Sequence, residues 1–291
     1  MSPFCRWWRL IGSTAACLLC ALPGTTPLAA QEPAKQSAQS STRPAAARGP
    51  IEDNSFLIEE AYNQEAGVVQ HISTFALQRA TRAWVYTFTQ EWPLFSQRHQ
   101  LSYTVPFISA GRGTGSGFGD VALNYRYQLA DGTRSGIAVA PRLSLLLATG
   151  DERRGRGAGG TGLQVNLPIS AEFSPKLMAH WNAGATYTPS ARNDIGDEAS
   201  TRTYNLGGSL IWLAAPAFNV MLESVWARAE EVIGPSERAS YRVFYISPGV
   251  RGAIGFPSGL QIVPGLALPI GIGPSRGDRQ FFLYLSFEHP F

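Results

Sequence analysis

The last eleven residues, Phe281-Phe-Leu-Tyr-Leu-Ser-Phe-Glu-His-Pro-Phe291, constrain the fold more than any other stretch. An extended strand alternates its side chains between two faces. One face here carries Phe281, Leu283, Leu285, Phe287, His289 and Phe291, and the other carries Phe282, Tyr284, Ser286, Glu288 and Pro290. An amphipathic strand that stops at an aromatic residue on its apolar face suits the closing strand of a transmembrane β-barrel. A soluble sandwich can also end in one alternating strand, so the remainder of the chain has to decide.

The N-terminus reads as a secretory signal peptide over residues 1–30. Arg6 and Arg9 precede an apolar run from Leu10 to Leu22, and Pro23-Gly24 breaks it before a small-residue exit at Ala29-Ala30. All three cysteines, Cys5, Cys17 and Cys20, fall inside it, which leaves no thiol for a disulfide or a cysteine metal site. Cleavage after Ala30 leaves 261 of the 291 residues, with 22 of the 24 basic residues against 21 acidic ones. That balance does not point to nucleic acid. No later apolar run reaches the length of a spanning helix, so a membrane form has to be a barrel.

Residues 31–50 are rich in Ala, Gln, Ser and Pro and read as a disordered periplasmic leader. An acidic segment follows over 51–66, with Glu52, Asp53, Glu59, Glu60 and Glu65 around Phe56-Leu-Ile58; it is a candidate plug for a barrel mouth. From 67 to 291 the chain divides into about twelve strand-like segments, although ten or fourteen also fit. Tight connections at 93–97, 130–134, 174–175, 214–216 and 255–257 alternate with longer Gly-, Arg- and Asp-rich ones at 110–116, 150–160, 189–201, 230–239 and 271–278. Short periplasmic turns alternating with longer outer loops are the pattern of an antiparallel up-and-down barrel. The faces agree. Val121, Leu123, Tyr125 and Tyr127 oppose Asn124, Arg126 and Gln128, and Leu163, Val165 and Leu167 oppose Gln164 and Asn166. The fold class is therefore all-β, a transmembrane antiparallel barrel of the bacterial outer membrane.

Two motif-bearing segments, Gly117-Phe-Gly-Asp-Val-Ala-Leu-Asn-Tyr-Arg-Tyr-Gln-Leu129 and Pro141-Arg-Leu-Ser-Leu-Leu-Leu-Ala-Thr-Gly-Asp151, join with the Phe-terminated strand in a resemblance. Over most of 67–291 the chain resembles the outer-membrane transporter family labelled putative MetA-pathway of phenol degradation. The resemblance implies a barrel that passes small, often hydrophobic or aromatic, molecules. The terminal Phe291 likewise resembles the signal read by the barrel-assembly machinery.

A barrel of this size leaves room inside for a lumen. Candidate lumen-lining residues are Glu91, Asp120, Asn124, Arg126 and Arg142, together with Glu172, His180, Glu223, Arg251 and Glu288. A tight turn near Asp131-Gly132 would set Arg142 about opposite Val121, and so predicts an Asp120–Arg142 ion pair. Arg153, Arg154 and Arg156 form an outer-loop basic cluster that would meet anionic solutes or lipopolysaccharide phosphates. The partners expected are outer-membrane lipids and a small-molecule solute. No metal or organic cofactor is implied. The glycine runs at 111–117 and 155–162 lack the helix pattern and the Gly-Lys-Ser/Thr that phosphate loops require, and read as outer-loop glycine. A serine hydrolase needs a histidine within reach of a serine. Of His71, His99, His180 and His289, none sits in an evident nucleophile context, so the expected function is a non-enzymatic conduit. A structural or adhesive barrel is the alternative, against which the modest outer loops argue.

Overall fold

The computed structural model describes residues 55–290 apart from Arg134 and Gly259. The signal peptide, the leader, the first residues of the acidic segment and Phe291 therefore lie outside the described residues.

Twelve antiparallel strands run up and down in chain order: β1 (Val68–Gln78), β2 (Trp84–Leu94), β3 (Ser96–Ser109), β4 (Gly117–Phe118, Val121–Tyr127 and Ala130–Asp131), β5 (Ile137–Val139 and Arg142–Leu147), β6 (Gly162–Ser174), β7 (Leu177–Arg192), β8 (Glu198–Ala215), β9 (Phe218–Gly234), β10 (Glu237–Gly252 and Ile254–Gly255), β11 (Gln261–Ala267 and Ile270–Gly271) and β12 (Gln280–Pro290). The sheet closes by pairing β1 with β12 in unbroken register, from Val68 opposite Pro290 to Gln78 opposite Gln280. Closure leaves no open edge, which a bilayer demands of any β structure.

The two faces are inverted relative to a soluble barrel. Leu163, Leu206, Trp212 and Leu222 point outward and are each more than half exposed. Gln164, Ser170, His180, Asn219, Glu223 and Ser247 point inward and are at most 2% exposed. An apolar exterior around a polar interior is stable only with lipid outside, as in the barrels of the bacterial outer membrane. Aromatic side chains mark the two rims. Phe173, Trp212 and Phe218 are exposed near the short turns, and Tyr187 and Tyr204 near the longer loops, the heights that amphipathic rings prefer.

Two local readings of the sequence are corrected. The β4–β5 connection is wider than a tight turn near Asp131-Gly132. Asp131 pairs with Ala138, the Asp131 carboxylate accepts from Thr133 N and Oγ1 at 3.0 and 2.7 Å, and Gly132 and Gly136 take φ of 81° and 70°. This wider turn moves the register, so that Arg142 stands opposite Arg126 and Val121 opposite Leu147. Five residues of strand then separate Asp120 from the level of Arg142, and the expected ion pair does not form. Secondly, the connections expected at 189–201 and 230–239 are largely strand. Arg192 pairs with Glu198 through a 2.9 Å ion pair, and Glu231 pairs with Ala239. Charged residues there sit on hairpin walls rising above the apolar belt, where a strand needs no hydrophobic face. β11 itself is interrupted at Leu268-Pro269, opposite Pro248, which has no N–H to give the ladder; Leu268 N donates to the Pro248 carbonyl at 3.0 Å.

Candidate functional site in the barrel lumen

Residues 55–65 run through the barrel interior as an irregular segment with no strand partner. Its backbone N–H groups are out of reach of a sheet and need other acceptors. Inward side chains of successive strands supply them. Glu223 Oε1 on β9 accepts from Phe56, Leu57 and Ile58 at 3.1, 2.8 and 3.2 Å. Asn182 on β7 accepts from Glu59 N at 2.8 Å and donates to its carbonyl at 2.9 Å. Ser170 Oγ on β6 accepts from Ala61 N at 2.7 Å, Gln128 on β4 from Asn63 N at 2.9 Å, and Gln100 on β3 from Gln64 N at 2.7 Å. The wall thus reads the segment's backbone, strand by strand, around half the barrel.

Charge fixes the middle of the segment. Arg126 and Arg142 are cross-strand neighbours facing the lumen, and like charges in that position repel unless anions intervene. Glu59 forms an ion pair with Arg142. Glu60 and Glu91 each place a carboxylate oxygen 4.0 Å from Arg126. Arg126 also donates to Asn63 Oδ1 at 2.9 Å, to the Glu60 carbonyl at 3.3 Å and to the Tyr62 carbonyl. Burial pushes the carboxyl of Glu60, on this irregular luminal segment, up to about 7, against the pull of Arg126 and with help from Glu91.

Apolar side chains of the segment enter fitted recesses. The Phe56 ring lies 5.1 Å from Tyr284 and 5.7 Å from Phe282, centroid to centroid. It rests on Gly249 and Gly265, where a Cβ would stand 2.9 Å from Phe56 Cε2 and 2.5 Å from Phe56 Cε1. A Cβ at Gly207 would strike Ile58 Cδ1. Beside the segment remains a cavity of about 180 Å³, bounded by Phe282 and Tyr284 on one wall, by Arg126 and Arg142 on another, and by Thr74, Thr87 and Thr89.

The positions expected to line the lumen divide into groups. Arg126, Arg142, Glu91 and Glu223 converge on the segment as described. Asn124, two residues nearer the outer loop on β4, donates to Ser102 Oγ at 3.1 Å and accepts from Ser144. His180 is fully buried in the wall, its Nδ1 hydrogen-bonded to Ser170 Oγ at 2.7 Å. That serine already accepts the Ala61 amide, so the contact orders the wall. Glu288 accepts from Gln70 at 2.6 Å, and Arg251 is 2% exposed, with Nε and Nη2 lacking a hydrogen-bond partner among the described residues. Glu172, opposite Met178, is exposed at the turn rim and takes no part in the cluster. Asp120 instead holds the outer loop: Oδ1 accepts from Gly150 N at 2.9 Å and Oδ2 from Ala158 N at 2.6 Å. The expected arginine cluster is split. Arg153 and Arg154 are exposed, whereas Arg156 is 7% exposed, pairs with Asp151 at 2.9 Å and lies over Gly117. Among the described residues, no three His, Cys, Asp or Glu side chains are grouped as a metal ion requires.

Sequence reasoning did not single out Gln100, Gln128, Ser170 and Asn182 as binding groups, nor Gly249 and Gly265 as a recess. Their inward parity was legible from the alternation, but their partner is a segment with no periodicity of its own.

No family model and no curated protein matches the chain. Its fold is shared with solved outer-membrane barrels. An outer-membrane channel from Pseudomonas putida F1 is similar over 79% of this chain and 98% of that one, at 13% identity and a TM-score of 0.54. The NanC porin is similar over 75% of this chain and 98% of that one, at 9% identity and a TM-score of 0.52. At these identities the likeness is one of architecture: the chain folds as a twelve-stranded β-barrel of the kind found in the bacterial outer membrane.

Proposed function

We propose that this protein is a gated conduit for small molecules across the outer membrane, and that residues 55–65 are its plug. The observation that carries the reading is the luminal segment itself. It crosses a barrel wide enough to hold it, yet leaves a cavity of about 180 Å³ beside it. It is held through side-chain acceptors rather than through a strand, so it can leave without breaking the barrel's ladders. A barrel with a purely structural role has no use for a removable occupant. The aromatic and aliphatic patch of Phe282, Tyr284, Val263 and Ala267 supports small hydrophobic or aromatic solutes, as does the resemblance to the MetA-pathway transporter family. No enzymatic role is proposed. The lipid-facing belt, the exposed Arg153 and Arg154 beside lipopolysaccharide, and the C-terminal strand as the part read by the assembly machinery complete the set of partners.

Single-channel conductance in planar bilayers tests the reading, with residues 31–291 compared to a chain starting at Gly67. Folding of both is checked by a heat-dependent gel shift. Low or flickering conductance from the longer chain and steady conductance from the shorter one is the expected outcome. Silence from both folded proteins would sink the conduit.

A further inference from the structure

We infer that the lumen contains a binding site for small amphipathic carboxylates, molecules with an aryl or alkyl body and one anionic end, and that Phe56 and Glu59 occupy this site as a built-in mimic. The inference rests on the conduit reading and names its solute class. Two independent features of the wall define the site. One is the pair Arg126 and Arg142, adjacent on β4 and β5 and both turned inward. Glu91 on the wall lies 4.0 Å from Arg126, whereas Arg142 takes its carboxylate from the segment, at Glu59. With the segment absent, the wall would keep an arginine with no matching acid, a standing demand for an anion. The other is the recess at Gly249 and Gly265, flanked by Phe282 and Tyr284, which fits an aromatic ring because neither glycine carries a Cβ. Phe56 and Glu59 are three residues apart, and the chain between them is bent, so their Cα atoms lie within the roughly 10 Å that three extended residues would span. A single small molecule of that length can bridge both features. The cavity already touches both ends, being lined by Phe282, Tyr284, Arg126 and Arg142. A solute entering it would therefore compete with Glu59 for Arg142 and with Phe56 for the recess, and its binding would loosen the plug.

The test uses the full mature chain, refolded, with 4-phenylbutyrate as probe and 4-phenylbutan-1-ol as its neutral counterpart, binding being followed by calorimetry. The acid is expected to bind at least tenfold more tightly than the alcohol. E59Q, which removes the competitor and leaves the barrel untouched, is expected to tighten the acid about tenfold, the effect of one ion pair of about 1.4 kcal/mol. R142Q is expected to abolish the preference for the acid. Equal binding of acid and alcohol, or an affinity unmoved by E59Q in a folded barrel, would overturn the inference. Its failure is separable from that of the conduit. A barrel that conducts but ignores the acid loses only the site, and one that binds the acid through Arg142 without ever conducting keeps the site and loses the conduit.

Discussion

Glu223 Oε1 lies 2.8 Å from the Leu57 amide nitrogen, and the same oxygen accepts from Phe56 and Ile58. One carboxylate on β9 thus satisfies three successive amides of a chain that has no strand beside it. Charge-assisted hydrogen bonds of this kind contribute about 1.5–3 kcal/mol each at most, and not additively. Glu223→Ala is expected to free the start of the segment, raising the open fraction by one to two orders of magnitude. The β9 ladder does not involve the side chain, so the gel-shift signature of the folded barrel should persist. Limited proteolysis within 55–66, alongside conductance, is the measurement. Unchanged protection would mean that Glu223 is not what holds the segment.

Gly265 and Phe56 make a second, independent hold. A methyl at Gly265 would occupy the space of the Phe56 ring, and overpacking of this kind costs about 1–3 kcal/mol. Gly265→Ala is expected to expel the ring and open the conduit partially. Phe56→Ala on top of it should remove the clash, so that the two changes together cost less than their sum. A double-mutant cycle on proteolytic protection measures the coupling, about 1 kcal/mol or more for residues in direct contact. Additive effects would place the ring elsewhere.

These two holds show which parts of the molecule were legible in the sequence. The barrel was, because period-two alternation in strands such as Gly162–Ser174 exposes one face to lipid and one to the interior regardless of anything else in the chain. The parity of Glu223, Arg126, Arg142 and Asn124 followed from it. Partner choice did not follow. Arg142 was expected beside Asp120, and a wider turn at 132–136 moved it beside Arg126 and onto Glu59. A register depends on the turn's length, and Asp131-Gly132 reads as a tight turn until the Asp131 side chain is seen turning back onto Thr133. The acidic segment itself carries no periodicity, so its path through the lumen is written only in the acceptors that receive it.

Glu60 gives the docked segment a pH dependence. Its carboxyl titrates up to about 7 when docked and near 4.5 otherwise, so the docked state holds the proton more strongly. Below pH 4.5 both states are protonated and docking has its full strength. Between 4.5 and about 7 docking weakens as the released segment ionises first, and above that range it levels off at its weakest. At 1.36 kcal/mol per pKa unit the whole change is roughly 3 kcal/mol. Conductance of the full mature chain is therefore expected to rise from pH 5 to pH 8, and Glu60→Gln to flatten that rise. A profile that falls with pH, or that survives the substitution, would assign the titration to another group.

Asp120 joins the two sequence motifs into one unit at the loop rim. Gly117-Phe-Gly-Asp120 and Thr149-Gly-Asp151 meet where Asp120 receives the Gly150 and Ala158 amides and Thr149 Oγ1 donates to the Gly119 carbonyl at 2.9 Å. The Arg156 guanidinium lies over Gly117, and its carbonyl over Gly119 and Gly150, at approaches that side chains on those glycines would block. A carboxylate holding two loop amides ties the loop at Gly150 and Ala158 to the loop-side end of β4 and leaves the ladders alone. Asp120→Ala removes both acceptors and leaves two amides to find water, a loss of about 1–3 kcal/mol confined to the loop. Trypsin cleavage after the exposed Arg153 and Arg154 is expected to speed up at least several-fold, with the barrel's unfolding temperature little changed. If Asp120→Ala instead destabilised the whole barrel, the two motifs would belong to the folding of the wall, and the loop would owe its position to its other contacts, Thr149 with Gly119 and Arg156 with Asp151 among them.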